Sequence, residues 1–204
     1  MDMPAPLFGC FLTRLCLAAA AVVLVAAVPC HAKQAGDGPE ARAFAIGDGG
    51  FSLSAPEGWK RVQPKSSIVE TEFAIPSEGE GEQPGRMTVM GAGGSVQANV
   101  DRWYGQFSQP DGSATKDKAT TKKLELAGCK VTLVDIGGTY KDAPAGPFAG
   151  GKAVDRPDYR MVAAIVETPD RGNYFLKFYG PGTTVAKHAD GFRTMVEGLV
   201  EAGK

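Results

Sequence analysis

The stretch YRMVAAIVETPDRGNYFLKFYGPGTT, residues 159–184, decides the fold. Tyr159 to Glu167 and Tyr174 to Tyr179 read as strands, and Pro169-Asp170-Arg171-Gly172 between them is turn chemistry. Pro presets φ for a turn, and Gly tolerates positive φ. The pair therefore predicts a β-hairpin. Gly180-Pro181-Gly182 stops the second strand, and a helix starts near Thr183 or Thr184. Its apolar stripe is Val185, Ala189, Phe192, Val196 and Leu199, which share one helical face. Gly191 and Gly198 each cost such a helix about 1 kcal/mol against Ala. Packing against a sheet must offset that loss.

Upstream, Lys122 to Leu126 and Cys129 to Ile136 make a second hairpin about Ala127-Gly128. It puts Cys129, Val131 and Leu133 on one face, Lys130 and Thr132 on the other. Ala-Gly is not the strongest hairpin pair, so the register stays open. Between the hairpins runs a Gly/Pro-rich stretch, Lys141 to Asp158, expected as a loop. Loops of that length in a compact domain are often functional, or simply mobile, and both readings stay open.

Earlier still, Gly91 to Gly94 leads into Ser95, an N-cap whose hydroxyl can take an orphan backbone N–H. Val96, Val100, Trp103, Tyr104 and Phe107 follow on one helical face. Strands are expected at Phe51-Ser52-Leu53, at Ile68 to Ile75 and at Arg86 to Met90, with Ser77 to Gly85 a solvated loop. The order is three strands, a helix, four or more strands, then a helix. Hairpins imply an antiparallel sheet, and two one-sided helices imply that they cover it. The class is α+β, an antiparallel β-sheet flanked by helices.

Residues 1–32 differ from the rest. Arg14 precedes an apolar run, Leu15 to Val28, too short for the roughly 20 residues of a membrane-spanning helix. Pro29 breaks it, and Cys30-His31-Ala32 offers small residues where a signal peptidase reads. A signal peptide over 1–32, a disordered leader over 33–43 and one domain over 44–204 are expected. The protein is then exported, to the periplasm or beyond, with no stable membrane span after cleavage. Near-balanced charge, with 22 Lys and Arg against 23 Asp and Glu, excludes the basic face a nucleic acid requires. Cys10, Cys16 and Cys30 lie in the export segment, so Cys129 alone is left to the mature chain and no internal disulfide forms.

Chemistry-bearing motifs are sparse. The mature chain has one histidine, His188, and one cysteine, too few for a zinc site. His188 falls on the polar side of the last helix. There is no nucleophile elbow, and Gly91-Ala92-Gly93-Gly94 lacks the rest of a phosphate-binding fingerprint. No cofactor is implied. Calcium is the one ion left open, with Asp142, Asp155 and Asp158 flanking the long loop as oxygen donors. A second cluster holds Asn99, Arg102 and Gln106 on the polar flank of the first helix, beside Trp103. Arg with aromatics is the composition of binding hot spots, and also of an amphipathic helix that simply caps a sheet. Arg156, Tyr159 and Arg160 add basic and aromatic groups by the loop. If the clusters converge they could hold a small anionic ligand or a protein partner's carboxylates.

Phe51-Ser52-Leu53-Ser54-Ala55-Pro56-Glu57-Gly58-Trp59 resembles the opening strand and Pro-x-Gly-Trp turn of the PsbP-like superfamily. The close is similar too: the aromatic strand Tyr174 to Tyr179, a Gly-Pro turn, and a helix carrying Phe192. The resemblance implies an antiparallel sheet flanked by helices, in proteins that bind or scaffold rather than catalyse. It transfers no site. The expected function is a non-enzymatic binding or envelope-accessory domain. The alternatives are a small-molecule or calcium binder using the 141–158 loop and, beyond that, an enzyme working without histidine.

Overall fold

The computed structural model describes residues 42–77, 79, 81–143 and 153–203. The expected signal peptide, most of the leader and the middle of the 141–158 stretch lie outside them. Strands β1 (Ala43–Ile46), β2 (Phe51–Ser54), β3 (Lys60–Val62), β4 (Thr71–Ile75) and β5 (Gly85–Ala92) come first. Helix α1 (Val96–Tyr104), β6 (Phe107–Ser108) and the single turn α2 (Thr115–Lys118) follow. Then come β7 (Thr120–Leu126), β8 (Cys129–Asp142), β9 (Val154–Glu167), β10 (Asn173–Pro181), helix α3 (Gly182–Glu197) and β11 (Val200–Glu201).

Among the described residues the main sheet has eight strands in the order β3-β4-β5-β10-β9-β8-β6, with β7 also on β8. Its pairs are all antiparallel. A second sheet of three strands runs β1-β2-β11. The α+β expectation holds, with the C-terminal helix packed on the sheet.

Both predicted hairpins are present. Glu167 pairs with Asn173 across the Pro169–Gly172 turn, and Leu126 pairs with Cys129. Ala127 and Gly128 both take positive φ, 49° and 76°, the backbone of a type I′ turn. Gly there is free of strain while Ala127 is not, which is why the pair reads as a weak signal.

The two strands of the first hairpin are buried on both faces, so each reads as a near-continuous apolar run. Tyr174, Leu176 and Phe178 of β10 join Val162, Ala164 and Val166 of β9 in one core, beneath α3 and the small sheet. Phe175 joins Met161, Ala163 and Ile165 in the other, beneath Val100 and Trp103 of α1. Phe178 is fully buried between Trp59 and Phe192, with ring centroids 5.1 and 6.2 Å away. Gly180 is required by its neighbour: a Cβ there would lie 2.9 Å from the Cα of Gly85.

Three expectations need correction. The strand predicted over Ile68 to Ile75 starts at Thr71, because residues 65–68 turn and leave Ile68 58% exposed. Helix α1 stops at Tyr104; Phe107 stays buried, but as a strand residue against Tyr140. The stretch Lys141 to Asp158 is not loop at its ends. Lys141 pairs with Asp155 and Asp142 with Val154, so the β8–β9 ladder runs on.

Candidate functional site

A bulge positions the site. Between Gly138↔Tyr159 and Tyr140↔Arg156, β9 carries one residue more than β8. Asp158 takes φ 56° there, as bulge residues do. In a regular strand Arg156 and Tyr159, three apart, would face opposite ways. The extra residue turns both toward the α1 side, where Tyr159 stacks on Tyr140 with centroids 6.2 Å apart and planes at 4°.

Alternation along β10 places Lys177 and Tyr179 on that same side. Helix α1 covers the Phe175 end, where Trp103 meets Phe175 edge-on at 5.5 Å, and stops short of the Lys177 end. The Lys177 amine donates to Gln106 Oε1 at 2.6 Å and reaches the Tyr140 hydroxyl at 3.5 Å. It lies 5.2 Å from the Tyr140 ring centre and 5.0 Å from that of Tyr179. Beside it Arg86 donates Nη1 to the Tyr179 hydroxyl at 2.6 Å. Its Nε and Nη2 form a forked pair with Glu72 at 2.7 and 2.8 Å.

Charge in the patch is not balanced locally. Glu72 pairs with Arg86, and Asp142 with Arg156 at 3.3 Å. Among the described residues no carboxylate forms an ion pair with Lys177 or Arg102. Ring faces favour an ammonium, yet three influences oppose it. Burial, then the charges of Arg102 and Arg86, push the Lys177 amine down from an ordinary 10.5 to about 7, against a pull from Asp142. Burial raises the phenols of Tyr140 and Tyr179 above their ordinary value. Both hydroxyls therefore keep their protons near neutral pH and can donate. The Glu72 carboxyl ends below its ordinary value. Burial pushes it up, but Arg86 and the Lys65 amide and charge pull it further down.

The predicted residues divide. Gln106 belongs to the patch through its bond to Lys177, Arg102 is exposed on α1 within electrostatic reach of that amine, and Arg156 and Tyr159 border it. Asn99 does not: it is 3% exposed, and its amide donates to Gly93 O at 3.1 Å and Ser95 O at 2.9 Å. It braces the entry to α1, whose N-cap is Ser95 as expected. Trp103 is 3% exposed and is core rather than contact surface. Arg160 pairs with Gly137 in the ladder and so faces the α3 side. There it forks onto Asp135 at 2.8 and 2.7 Å, and Arg193 of α3 joins at 2.9 Å.

The calcium set does not assemble. Asp142 lies across from Val154 and Asp155 across from Lys141, so their side chains leave opposite faces of the ladder, and Asp158 sits at the bulge. Among the described residues no group of three His, Cys, Asp or Glu side chains is placed to hold a metal ion. His188 is not a solvated surface group either; it is half-buried, and Trp59 Nε1 donates to its Nδ1 at 3.4 Å. Cys129 is buried, and burial, then the charge of Glu201, raise its thiol above the ordinary value.

Sequence reasoning missed Lys177, Tyr179, Tyr140, Arg86 and Glu72. One signal was there to find. In Tyr174-Phe175-Leu176-Lys177-Phe178-Tyr179 a lone lysine interrupts a strand that is otherwise aromatic and apolar. A cleft of about 530 Å³ lies beside the 63–70 loop. Its charged lining is of mixed sign, Arg61 and Lys65 with Glu70 and Glu72.

No family model matches the chain, and no curated protein matches it in sequence. Among solved structures it is similar to cyanobacterial PsbP (CyanoP) from Synechocystis sp. PCC 6803. The identity is 11% and the TM-score 0.45, over 78% of this chain and 91% of that one. It is also similar to LpqN, a protein involved in cell envelope biogenesis of Mycobacterium tuberculosis. There the identity is 15% and the TM-score 0.46, over 78% of this chain and 88% of that one. A Bacteroides thetaiotaomicron protein matches at 9% identity and TM-score 0.38, over 80% of this chain and 49% of the other.

Proposed function

We propose that this chain is an exported, non-enzymatic binding domain of the cell envelope that uses the open end of its α1 face to hold an anionic group. The observation that carries this reading is the Lys177 amine, crowded between two tyrosine rings with Arg102 and Arg86 as neighbouring like charges. Buried charge is costly unless it is paired. An anionic ligand, free or carried by a protein partner, would supply the pair. The tyrosine hydroxyls and Gln106 give it polar contacts, beside the buried ring of Tyr140 and the half-buried ring of Tyr179. The segment over 1–32, with its short apolar run and small residues at the cleavage position, supports export. Among the described residues no helix is long and apolar enough to cross a membrane.

A thermal-shift panel of organic acids, phosphate, sulfate, nucleotides, sugars and divalent ions tests the reading. A ligand at about 100 times its dissociation constant adds about 2.7 kcal/mol, which raises the melting temperature of a domain this size by several degrees. The shift should come from anions and disappear in the Arg102→Ala, Gln106→Ala double variant while that variant still folds. A shift from divalent ions alone would favour the calcium alternative. No shift from any anion would sink the small-ligand form of the proposal and leave cross-linking to search for a protein partner.

A further inference from the structure

We infer that β7 is an interface through which two copies of this chain join edge to edge, antiparallel, with the two-fold axis at Leu124. The inference goes beyond the binding role proposed above and does not rest on it.

β7 is the long edge of the main sheet. Its seven residues pair with β8 on one side and, among the described residues, with no strand on the other. The edge at the far end is short: β3 has three residues, and its Arg61 donates to Ala43 O at 2.6 Å. The Ala127-Gly128 turn fixes which backbone groups of β7 look outward. Leu126 and Cys129 flank that turn as a hydrogen-bonded pair, and by alternation so do Leu124 with Val131 and Lys122 with Leu133. The N–H and C=O groups of Thr121, Lys123 and Glu125 therefore point away from β8. An exposed edge of this length is a template for strand pairing unless something guards it.

Charge is the guard, and it selects the partner. Thr121 meets Tyr104 of α1 at 3.2 Å, so Lys123 and Glu125 share the α1 face with it. Leu124 and Leu126 lie on the other face, half-buried against the α3-side core. Among the described residues neither Lys123 nor Glu125 is in an ion pair. A strand that sets no carboxylate across from Lys123 leaves that charge unanswered; a second copy of β7 supplies one in a single register. An axis at Lys122, Lys123 or Glu125 sets that residue against its own charge, which is unfavourable directly across a strand pair. An axis at Thr121 or Leu126 brings no opposite charges together. An axis at Leu124 sets Lys123 opposite Glu125 of the second copy, and Glu125 opposite its Lys123. Both are hydrogen-bonded pairs, so each exchanges both of its N–H···O bonds. On the α3 face Leu124 meets its own copy, and Leu126 lies across from the other Lys122, whose apolar stem can cover it. The contact thus continues the α3-side core across the axis. Because the same patch serves both copies, the assembly closes at a dimer. The axis stands normal to the sheet, so both α1 faces look the same way and present the candidate site twice to one partner surface.

Sedimentation of the purified chain tests this without any ligand, so its outcome is independent of the anion reading. The wild type should be a monomer–dimer mixture with a dissociation constant between about 1 and 100 μM. Lys123→Glu and Glu125→Lys should each weaken self-association at least about tenfold, because each sets like charges across the axis twice. Mixed in equal amounts, the two variants should associate with each other about as tightly as the wild type does with itself, since every facing pair is then opposite in sign. Leu124→Cys should form a disulfide-linked dimer under mild oxidation, because a non-hydrogen-bonded pair stands about 4.5 Å apart at Cα. Lys122→Cys should link no more than the wild-type background. Thermal melts establish that each variant folds. A wild type that stays monomeric at about 1 mM, or assemblies that grow past a dimer with concentration, would overturn the inference. So would a dimer that both charge variants leave intact, or one that Lys122→Cys traps better than Leu124→Cys.

Discussion

The two faces of the main sheet are built from alternate residues of the same strands, yet they end differently. On the α3 face Phe178, Leu176, Val162 and Phe192 close into one apolar core, and its main charged cluster, Asp135 and Asp190 with Arg160 and Arg193, is neutralised at the rim. On the α1 face the apolar part stops at Phe175 and Met161, and beyond it lie Lys177, Tyr179, Arg86 and Glu72. One face is sealed by a helix of 16 residues and a second sheet; the other has a helix of 9 residues that covers only part of it. A protein built for stability alone would extend the apolar surface of the second face and cover it. Half-buried charge persists there at a cost, which the binding role proposed above would account for.

The sharpest test sets two adjacent residues against each other. Phe178→Ala empties the centre of the α3 face. It should cost about 3–5 kcal/mol, read as a large drop in the urea midpoint. Lys177→Met, one residue away on the other face, should leave stability unchanged or raise it, because it replaces a poorly paired buried cation with an apolar chain of similar length. Equal losses from both would mean that the α1 face is as structural as the α3 face.

The pH dependence of stability separates the two buried ionic features. Glu72 is depressed in the fold, so the unfolded chain takes up its proton first as pH falls. Its contribution is present above the ordinary value of 4.5 and is lost as pH falls through the folded value. Glu72→Gln should cost about 3 kcal/mol at neutral pH, since it leaves Arg86 without its charge partner. It should also flatten the acid limb of the stability profile. Lys177 is depressed too, but as a base. Its folded value of about 7 lies below the ordinary 10.5, so wild-type stability should rise with pH across that window. Lys177→Met should abolish the rise. A wild-type profile flat between those two values would show that the amine is not perturbed as the geometry implies.

How far the sequence reveals this arrangement depends on the face. Hairpins with their own turn residues, Pro169-Asp170-Arg171-Gly172 above all, are local and can be read directly. So can the stripe Val185, Ala189, Phe192, Val196 of α3, and with them the α+β class. The bulge at Asp158 is invisible, because nothing in Arg156-Pro157-Asp158-Tyr159 announces an extra residue, and without it Arg156 and Tyr159 cannot share a face. The 141–158 stretch reads as loop through its glycines and prolines, although strand pairing carries on through Asp142 and Val154. Half the candidate site was legible: Arg102 on the polar flank of α1 and Gln106 just beyond its end stand out. The other half comes from β4, β5, β8 and β10. Those strands meet only in the folded sheet, where Glu72 and Arg86 are 14 positions apart and Arg86 and Tyr179 are 93 apart. Asn99 and Trp103 have the composition of a binding surface, but their burial serves helix entry and core.

A milder test stays on the sealed face. Asp135 holds Arg160 from β9 and Arg193 from α3, with side chains 19%, 30% and 39% exposed. Solvent near these groups weakens the pairs. Asp135→Asn should therefore cost only about 1–2 kcal/mol, and less in high salt. Anion binding on the other face should not change. If it did change, the two faces would be coupled through the sheet, and the division drawn here between a structural and a functional face would fail.

The smallest expected change in stability is also the most informative about function. Arg102 is exposed on α1, and an exposed residue outside any cap or core contact alters stability by no more than about 0.5 kcal/mol. Arg102→Ala should therefore melt with the wild type. Its effect should appear in Lys177: with that like charge gone, the amine should titrate higher than about 7, visible in side-chain NMR. Removing the charge thus makes the site a better base and a poorer anion trap at once. A structural role for Arg102 predicts neither change, and a lost melting transition would assign it to packing instead. If the amine rises while anion affinity holds, Lys177 alone carries the ligand and the helix side of the opening is only its wall.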